Sequence, residues 1–374
     1  GGIAAYKTPA LVRLLTGQGH SVSVIFTASA HQFVSAAVMG TLSGSPVLDQ
    51  VVPTDGTIPH LSLNRNHDVM VIAPATANSI SKFACGLADD LVSATFLTFQ
   101  GPRIVVPAMH TEMLEAPVIQ AHLSLLRMWG VSILGPDVGV LACEDVGPGR
   151  MVEPELIALR VQAVGSDLPD LTGKTVVVTA GGTVEPLDPV RVITNRSTGQ
   201  LGHTIAHLAA FAGATVRLVS TVLPLSNPAF DSVECVQTVA QMQAALVRTM
   251  PGADALVMAA AVSDFTAKAS EQKSKRGSLT AIPVQPTLDL VVEMGVQFPS
   301  ARRIGFCLED QDPIRVGREK LARKGLHAIV VNSSATIGKA RRSVEILRDG
   351  SDAVASLRDQ PVTAVAAAVL RELL

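Results

Sequence analysis

Short apolar runs, each closed by glycine, proline or small polar residues, recur along the chain with helical-period segments between them. In the first half the runs 21–27, 68–75, 103–109 and 131–134 predict strands, and 4–17 and 111–128 predict helices among those that separate them. A second series begins at 174–179 and continues through 215–221, 255–262, 303–307 and 328–331. The runs alternate little, as strands covered on both faces do, and repeated βα units predict a parallel, doubly wound sheet. Two series predict two α/β domains, at 1–164 and 174–374. The seam is expected in 165–173 (GSDLPDLTG), a polar stretch with Pro and Gly directly before a new strand. The tract 268–278 (KASEQKSKRGS) interrupts the second domain and is expected to be an exposed, mobile loop.

Composition narrows the partners. A chain of 374 residues is too long for one ordinary core. No apolar stretch approaches the roughly 18 residues a bilayer-spanning helix needs, so no membrane partner is expected. A net charge of −2 gives no electrostatic case for nucleic acid, and with Trp129 and Tyr6 the sole Trp and Tyr there is little to stack bases on. Small-molecule ligands remain. The cysteines at 85, 143, 235 and 307 form no CxxC pair, so neither a structural zinc site nor a disulfide framework is predicted, and a reducing cytoplasm fits. No metal ligands are assigned. The chain opens at Gly1, without Met and inside a glycine motif, and reads as lacking its natural N-terminus with a first strand.

The strand ends of the first half carry candidate chemistry. Gly1-Gly2-Ile3-Ala4-Ala5-Tyr6-Lys7 sits at an expected strand-to-helix turn, where glycines let an anion approach the backbone and a helix N-terminus favours phosphate. A tight βα turn explains the same residues. Thr27 and Ser29 follow the next run, and Ala75, Thr76 and Asn78 end another; ligands of open α/β sheets bind at such carboxyl ends. His60, in PHLSL, is a lone loop histidine, a type that is as a rule solvated or satisfied. Cys143 lies in the glycine-rich GVLACEDVGPGR, a setting that suits a reactive thiol better than the surroundings of the other cysteines.

The ordered set GGIAAYK, PHLSL, APATAN, GLADDL, PAMHTEM and ACEDVGPGRM resembles the phosphopantothenoylcysteine decarboxylase family of flavin-dependent cysteine decarboxylases, over about residues 1–155. The resemblance implies a flavodoxin-like fold, and FMN held by Gly1, Gly2, Ile3, Ala4, Thr27, Ser29, Ala75, Thr76 and Asn78. It also implies trimeric packing with sites between subunits, His60 as an active-site histidine and Cys143 as the acid on a substrate-covering lid. In that family the substrate thiol is oxidised to a thioaldehyde, carbon dioxide leaves to give an enethiolate, the electrons return, and the lid cysteine supplies a proton. Two positions depart from the family pattern. His110 stands where an Asn holds the substrate carboxylate, and Leu114 stands where a Trp is usual. Imidazole still donates a hydrogen bond, more strongly when protonated.

In the second half, TAGGTVEP could cradle phosphate or merely turn the chain, and NRSTGQLG suits helix capping as well as anion binding. Asp264 follows a buried run in AAAVSDF and can meet a base, a ribose or a metal, or cap the next element. Lys273, Lys275 and Arg276 form a short basic cluster, of a kind that is usually just solvated; Lys320 and Lys324 share a helix face. Together with KLARKG these segments resemble phosphopantothenate–cysteine ligase, fused behind the decarboxylase as in bacteria, over about residues 171–324. The resemblance implies a Rossmann-like ligase domain with dimeric contacts. In its reaction CTP activates the carboxylate of 4'-phosphopantothenate as an acyl-cytidylate, and cysteine's amine displaces CMP. Asn195 would contact the acyl intermediate and Lys273 the activated carboxyl or phosphate. Ala259, Ala260, Asp264, Leu288, Asp289, Leu290, Phe306, Lys320 and Lys324 would border CTP, with Mg2+ held mainly by phosphates and water. Departures here are Thr287-Leu288-Asp289-Leu290 for Asn-Pro-Asp-Ile, Cys307-Leu308-Glu309-Asp310 for Ala-Ala-Glu-Thr, and Asn332-Ser333 for Asn-Asp. A catalytically silent FMN-binding regulatory protein is the main competing reading. An NAD(P) oxidoreductase is a third, and it lacks a clean GxGxxG followed by an acidic ribose ligand.

Overall fold

The computed structural model describes residues 1–53, 56–273, 281–336 and 338–374. It divides into two compact units, residues 1–165 with 225–228, and residues 166–224 with 229–374. Each is an α/β fold built on a parallel sheet.

In the first unit a 3-10 turn, Ile3–Lys7, leads into α1 (Thr8–Gly17), so the segment expected as one helix changes pitch at Thr8. The run 21–27, expected as a strand, is extended but makes only an isolated parallel bridge, Ile25 to Leu48. Its ladder consists of Phe26 N–H to Leu48 O and Leu48 N–H to Val24 O and does not propagate. After α2 (Ala36–Ser43) comes α3 (Pro59–Asn66), which places His60 on a first helical turn rather than in a loop. The order continues β1 (Met70–Ala75), α4 (Ala77–Cys85), α5 (Leu91–Thr98), β2 (Arg103–Pro107), α6 (Thr111–Glu115), α7 (Pro117–Met128) and β3 (Ser132–Ile133). The helix expected over 111–128 is two helices. Proline cannot donate to the preceding turn and excludes helical geometry at the residue before it; Ala116 accordingly adopts ψ 127°. β1, β2 and β3 pair in parallel in that order. Ile72, Ile80, Phe83, Phe96, Val105, Leu123 and Leu126 form their core, with Phe83 stacked on Phe96 at 4.0 Å. An antiparallel hairpin, β4 (Asp137–Val140) with β5 (Val146–Arg150), precedes α8 (Pro154–Val164).

The second unit is larger. Its strands and helices run β6 (Thr175–Ala180), β7 (Val184–Pro186), β8 (Val192–Thr194), α9 (Gln200–Phe211), β9 (Thr215–Ser220), β10 (Phe230–Cys235), α10 (Val239–Thr249), β11 (Ala255–Met258), β12 (Phe265–Ala267), β13 (Val284–Pro286), α11 (Leu290–Gln297), β14 (Arg302–Leu308), α12 (Pro313–Lys324), β15 (Ala328–Asn332), β16 (Arg341–Arg348), β17 (Val354–Pro361) and α13 (Val362–Arg371). The sheet order is β10-β9-β6-β11-β14-β15-β16-β17; β16 alone is reversed, pairing antiparallel with both β15 and β17. The run 255–262 leaves the sheet after Met258, because Ala260 N–H turns to Thr179 Oγ1 and Ala261 pairs with the Gly181-Gly182 turn. Of the tract 268–278, residues 268–273 are exposed; Lys275 and Arg276 lie outside the described residues.

His207 of α9 is 1% exposed and stacked on Phe230 at 4.9 Å. Burial, and then the nearby His203, lower its pKa from 6.5 to about 3. The folded imidazole therefore stays neutral while the unfolded one takes up a proton below about pH 6.5. Stability is whole above that value and falls, by up to about 1.4 kcal/mol per pH unit, as the pH drops toward 3. His207→Phe should show a shallower decline of Tm between pH 7 and pH 5 than the parent; parallel declines would show that the imidazole carries none of it.

Candidate active sites

Three strand-end segments meet at the start of the first unit. A β-carbon on Gly1 would fall 2.3 Å from Ser29 Oγ and 2.7 Å from Ala30 N, and one on Gly2 would fall 3.1 Å from Thr76 Cγ2. Glycine is what lets these backbones approach. Small hydroxyls surround the junction. Thr27 Oγ1 and Ser29 Oγ are 3.3 Å apart, and Thr76 caps α4 by accepting Ser79 N–H. Ala75 is fully buried beneath them, and Asn78 is exposed on the first turn of α4. Glycine backbone, hydroxyls and a capped helix start, the donor set expected for a phosphate-bearing flavin, thus lie together.

On the other side of Gly2 opens a cavity of about 510 Å³ that Gly2, Ile3, Ala4, Met109, His110 and Cys143 help to line. His110 caps α6: its Nδ1 accepts Glu112 N–H, which leaves Nε2 to donate to Asp145 Oδ2 at 3.0 Å. Cys143 sits at the exposed tip of the β4–β5 hairpin and donates its thiol to the same carboxylate oxygen at 3.3 Å. Glu144, between them, takes a left-handed backbone (φ 71°), closing a turn that leaves both neighbours in reach. The hydrogen bonds from His110 and from Cys143 hold the Asp145 carboxyl below the usual carboxylate range. Nitrogen, sulfur and oxygen here converge within 4.8 Å, a spacing the two hydrogen bonds already explain. Gly149 seals the wall: at φ 141° its β-carbon would strike Met109 O at 2.1 Å, so β5 lies directly on the 107–110 loop. Lys7, 8% exposed, ties the glycine turn down through Met151 O at 3.0 Å and Glu153 Oε1 at 2.9 Å.

His60 does not line this cavity. Its Nδ1 is buried with no hydrogen-bond partner among the described residues, and its carbonyl accepts Thr98 Oγ1–H of α5 at 3.4 Å. Leu114, 7% exposed, is part of the core, so a Trp is not replaced by a gap. Sequence reasoning passed over Asp145 and Lys7, although both lie inside the quoted motifs. An acid two residues from a candidate proton donor was the available signal.

The second unit has a cavity of about 860 Å³ at the carboxyl ends of β11, β14 and β15. Ala259, Ala260, Asp264, Leu288, Asp289, Leu290, Phe306, Lys320, Lys324 and Asn195 all line it; Lys273, exposed, does not. Gly202 lets α9 lie on β6, since a β-carbon there would fall 2.8 Å from Thr179 O, and this aims the N-terminus of α9 at the cavity. Asn195 Nδ2 donates to Ala261 O and Val262 O, 3.2 Å each, and so bridges two walls. Lys324 pairs with Asp289 at 2.9 Å and Lys320 Nζ donates to Cys307 Sγ at 3.1 Å. Leu290 is 2% exposed and supports the wall, whereas Leu288 is 60% exposed. Asn332 and Arg342 also line the cavity, and nothing in the motif pattern singled out Arg342.

Residues 1–164 match the family model described as Flavoprotein, and residues 171–374 the one described as DNA/pantothenate metabolism flavoprotein C-terminal domain. The chain is similar to coenzyme A biosynthesis bifunctional protein CoaBC of several bacteria. With that of Mycobacterium tuberculosis it shares 41% identity over 363 residues, 91% of this chain and 85% of the relative. With that of Escherichia coli it shares 38% over 343 residues, 89% and 84%. With that of Bacillus subtilis it shares 37% over 341 residues, again 89% and 84%.

Proposed function

The chain belongs to the family of coenzyme A biosynthesis bifunctional proteins, and from that premise we propose how its two units divide the work. It is a two-headed enzyme: it ligates 4'-phosphopantothenate to cysteine at the expense of CTP and decarboxylates 4'-phosphopantothenoylcysteine to 4'-phosphopantetheine. We assign the decarboxylase to residues 1–164, the linker to 165–173 and the ligase to 174–374. The observation that carries this division is that segments far apart in sequence, residues 2–7, residues 108–110 and Cys143 in the first unit and Asn195, Asp264, Phe306 and Lys320 in the second, each line one cavity of their own unit.

In the first unit the residues present fit FMN. Gly1, Gly2, Ile3, Ala4, Thr27, Ser29, Ala75, Thr76 and Asn78 would hold it, its phosphate meeting the glycine turn and the hydroxyls. Bound FMN supplies reversible two-electron redox chemistry on the substrate side chain. Around it the chain orients and protonates. His110 Nε2–H, now on the Asp145 carboxylate, is positioned to take the substrate carboxylate instead, and the Cys143 thiol delivers the proton that replaces the lost carbon dioxide. We place His60 in a neighbouring copy's site, as the family resemblance implies, in trimeric decarboxylase contacts combined with dimeric ligase contacts.

In the second unit Asn195 would orient the acyl-cytidylate. Ala259, Ala260, Asp264, Leu288, Asp289, Leu290, Phe306, Lys320 and Lys324 would frame CTP, with Mg2+ on its phosphates, and Lys273 would come to the activated carboxyl from the loop. A reducing cytoplasm keeps Cys143 a thiol. The purified protein is expected to be yellow, and to release pyrophosphate only when CTP and 4'-phosphopantothenate are both present. Colourless protein that takes up no FMN would remove the first assignment, and equal turnover with ATP would remove the CTP specificity.

A further inference from the structure

The ligase cavity contains a cation that no described residue pairs with. Arg342 is the second residue of β16, and β16 runs antiparallel to β15 with Asn332 opposite Val344. That pairing carries the start of β16 past the carboxyl end of β15, so Arg342 stands at the sheet edge where α/β ligands bind, and it lines the cavity. The β16–β17 register shifts between Arg342 and Val344, an irregularity of the kind that re-aims side chains beside active sites.

Arg342 is 9% exposed, and its Nε is buried without a hydrogen-bond partner. No ion pair to it exists among the described residues, although Arg341 and Arg348, on the same strand, are paired with Asp359 and Glu372. The cavity's other partly buried cations are engaged, Lys324 by Asp289 and Lys320 by Cys307. Arg196 and Arg323 are exposed and solvated. Across the pairing, Asn332 Oδ1 is likewise buried with no partner and lines the same cavity. Burial lowers the pKa of the Arg342 guanidinium, but arginine keeps its proton in proteins, so a partly desolvated positive charge lines the cavity. An uncompensated buried charge is strongly unfavourable, and a buried polar atom left unsatisfied in a native fold calls for a ligand, an ion or water. A planar fork of donors matches phosphate or carboxylate geometry, and both substrates of this cavity carry phosphate.

We propose that Arg342 binds a phosphate group of one of the two phosphorylated substrates of the ligase reaction, completing its hydrogen bonds when that substrate enters. This rests on the reading of the second unit as the ligase. The two sources of phosphate, nucleotide and acyl substrate, are separated by titration.

The full-length protein, its Arg342→Gln variant and its Arg342→Lys variant are titrated calorimetrically under non-turnover conditions. The ligands are CTP and cytidine, then 4'-phosphopantothenate and pantothenate. Arg342→Gln should weaken one phosphorylated ligand roughly 10- to 100-fold, as loss of a charge-assisted hydrogen bond does, and leave its unphosphorylated counterpart within about twofold. Arg342→Lys should weaken the same ligand less. Loss on CTP assigns Arg342 to the nucleotide, and loss on 4'-phosphopantothenate assigns it to the acyl substrate. The ligand-free Tm of Arg342→Gln should equal or exceed that of the parent, because an unpaired buried charge has been removed. Unchanged affinity for both phosphorylated ligands, in variants that fold, overturns the proposal while leaving the ligase reading intact if the parent binds CTP. A parent that binds neither phosphorylated ligand overturns both.

Discussion

Cys143→Ser is expected to cut 4'-phosphopantetheine formation by at least about 100-fold while ligation proceeds at the parent rate, the scale on which a positioned general acid contributes. The substitution separates chemistry from position. A serine hydroxyl can make the same hydrogen bond that the thiol makes to Asp145 Oδ2, so the hairpin tip keeps its anchor. What it cannot do is give up a proton readily: a thiol has a pKa near 8.5, and an alkyl hydroxyl is a far weaker acid. His110, on the same carboxylate, remains to orient the substrate. The ligase cavity is lined wholly by residues beyond 194 and is untouched. The check is product formation from 4'-phosphopantothenoylcysteine with the flavin spectrum recorded beside it. Normal product from Cys143→Ser with a normal flavin spectrum would remove Cys143 as the acid. His110→Asn should retain much of the activity and His110→Ala little, because the first still donates toward a carboxylate.

Asn195→Asp carries the largest expected effect on the other head, a loss of about 100-fold or more in 4'-phosphopantothenoylcysteine formation. Asn195 Nδ2 holds two main-chain carbonyls, Ala261 O and Val262 O. A carboxylate there donates to neither, faces both as repelling acceptors, and adds a negative charge where an acyl phosphate has to form. Each lost or reversed contact is worth about 1–3 kcal/mol, so two of them account for the predicted factor. Asn195→Ala loses the contacts without the charge and should fall less. Equal rates for the two variants would show that repulsion has no part, and a parent-like rate for Asn195→Asp would remove Asn195 from the reaction.

Much of this was legible in the sequence, and for a physical reason. Strands covered on both faces must be apolar throughout, so the central strands of the second unit stand out as runs such as ALVM of β11 and AIVVN of β15. Edge strands have no such constraint. β17, at the sheet edge, carries Arg358 and Asp359, and β16 beside it carries Arg341, Arg342, Glu345 and Arg348, so neither forms a continuous apolar run. The 21–27 run has strand composition but finds a ladder partner only around Leu48, a pairing that composition does not encode. Pro117 was a readable break inside 111–128, overridden by the apolar period on either side.

The sites divide in the same way. Asn195, Ala259, Asp264 and Phe306 were named because the segments that carry them resemble the ligase family's motifs, and the fold gathers them on one cavity. Arg342 reaches that cavity only because an antiparallel hairpin returns the chain to the carboxyl edge. Asp145 matters through contacts to Cys143 and His110, and the second of these spans 35 positions. Lys273 has the opposite history: its basic cluster drew notice, yet it lies outside the cavity's lining.

The most direct test of two heads in one chain is mass-spectrometric analysis of the purified, FMN-supplemented protein given 4'-phosphopantothenate, cysteine, CTP and Mg2+. The account predicts 4'-phosphopantetheine with one CMP per product. It predicts none when CTP is omitted, and product restored without CTP when 4'-phosphopantothenoylcysteine is supplied instead. Failure to decarboxylate that intermediate, or a yield from 4'-phosphopantothenate and cysteine that does not depend on CTP, would contradict it.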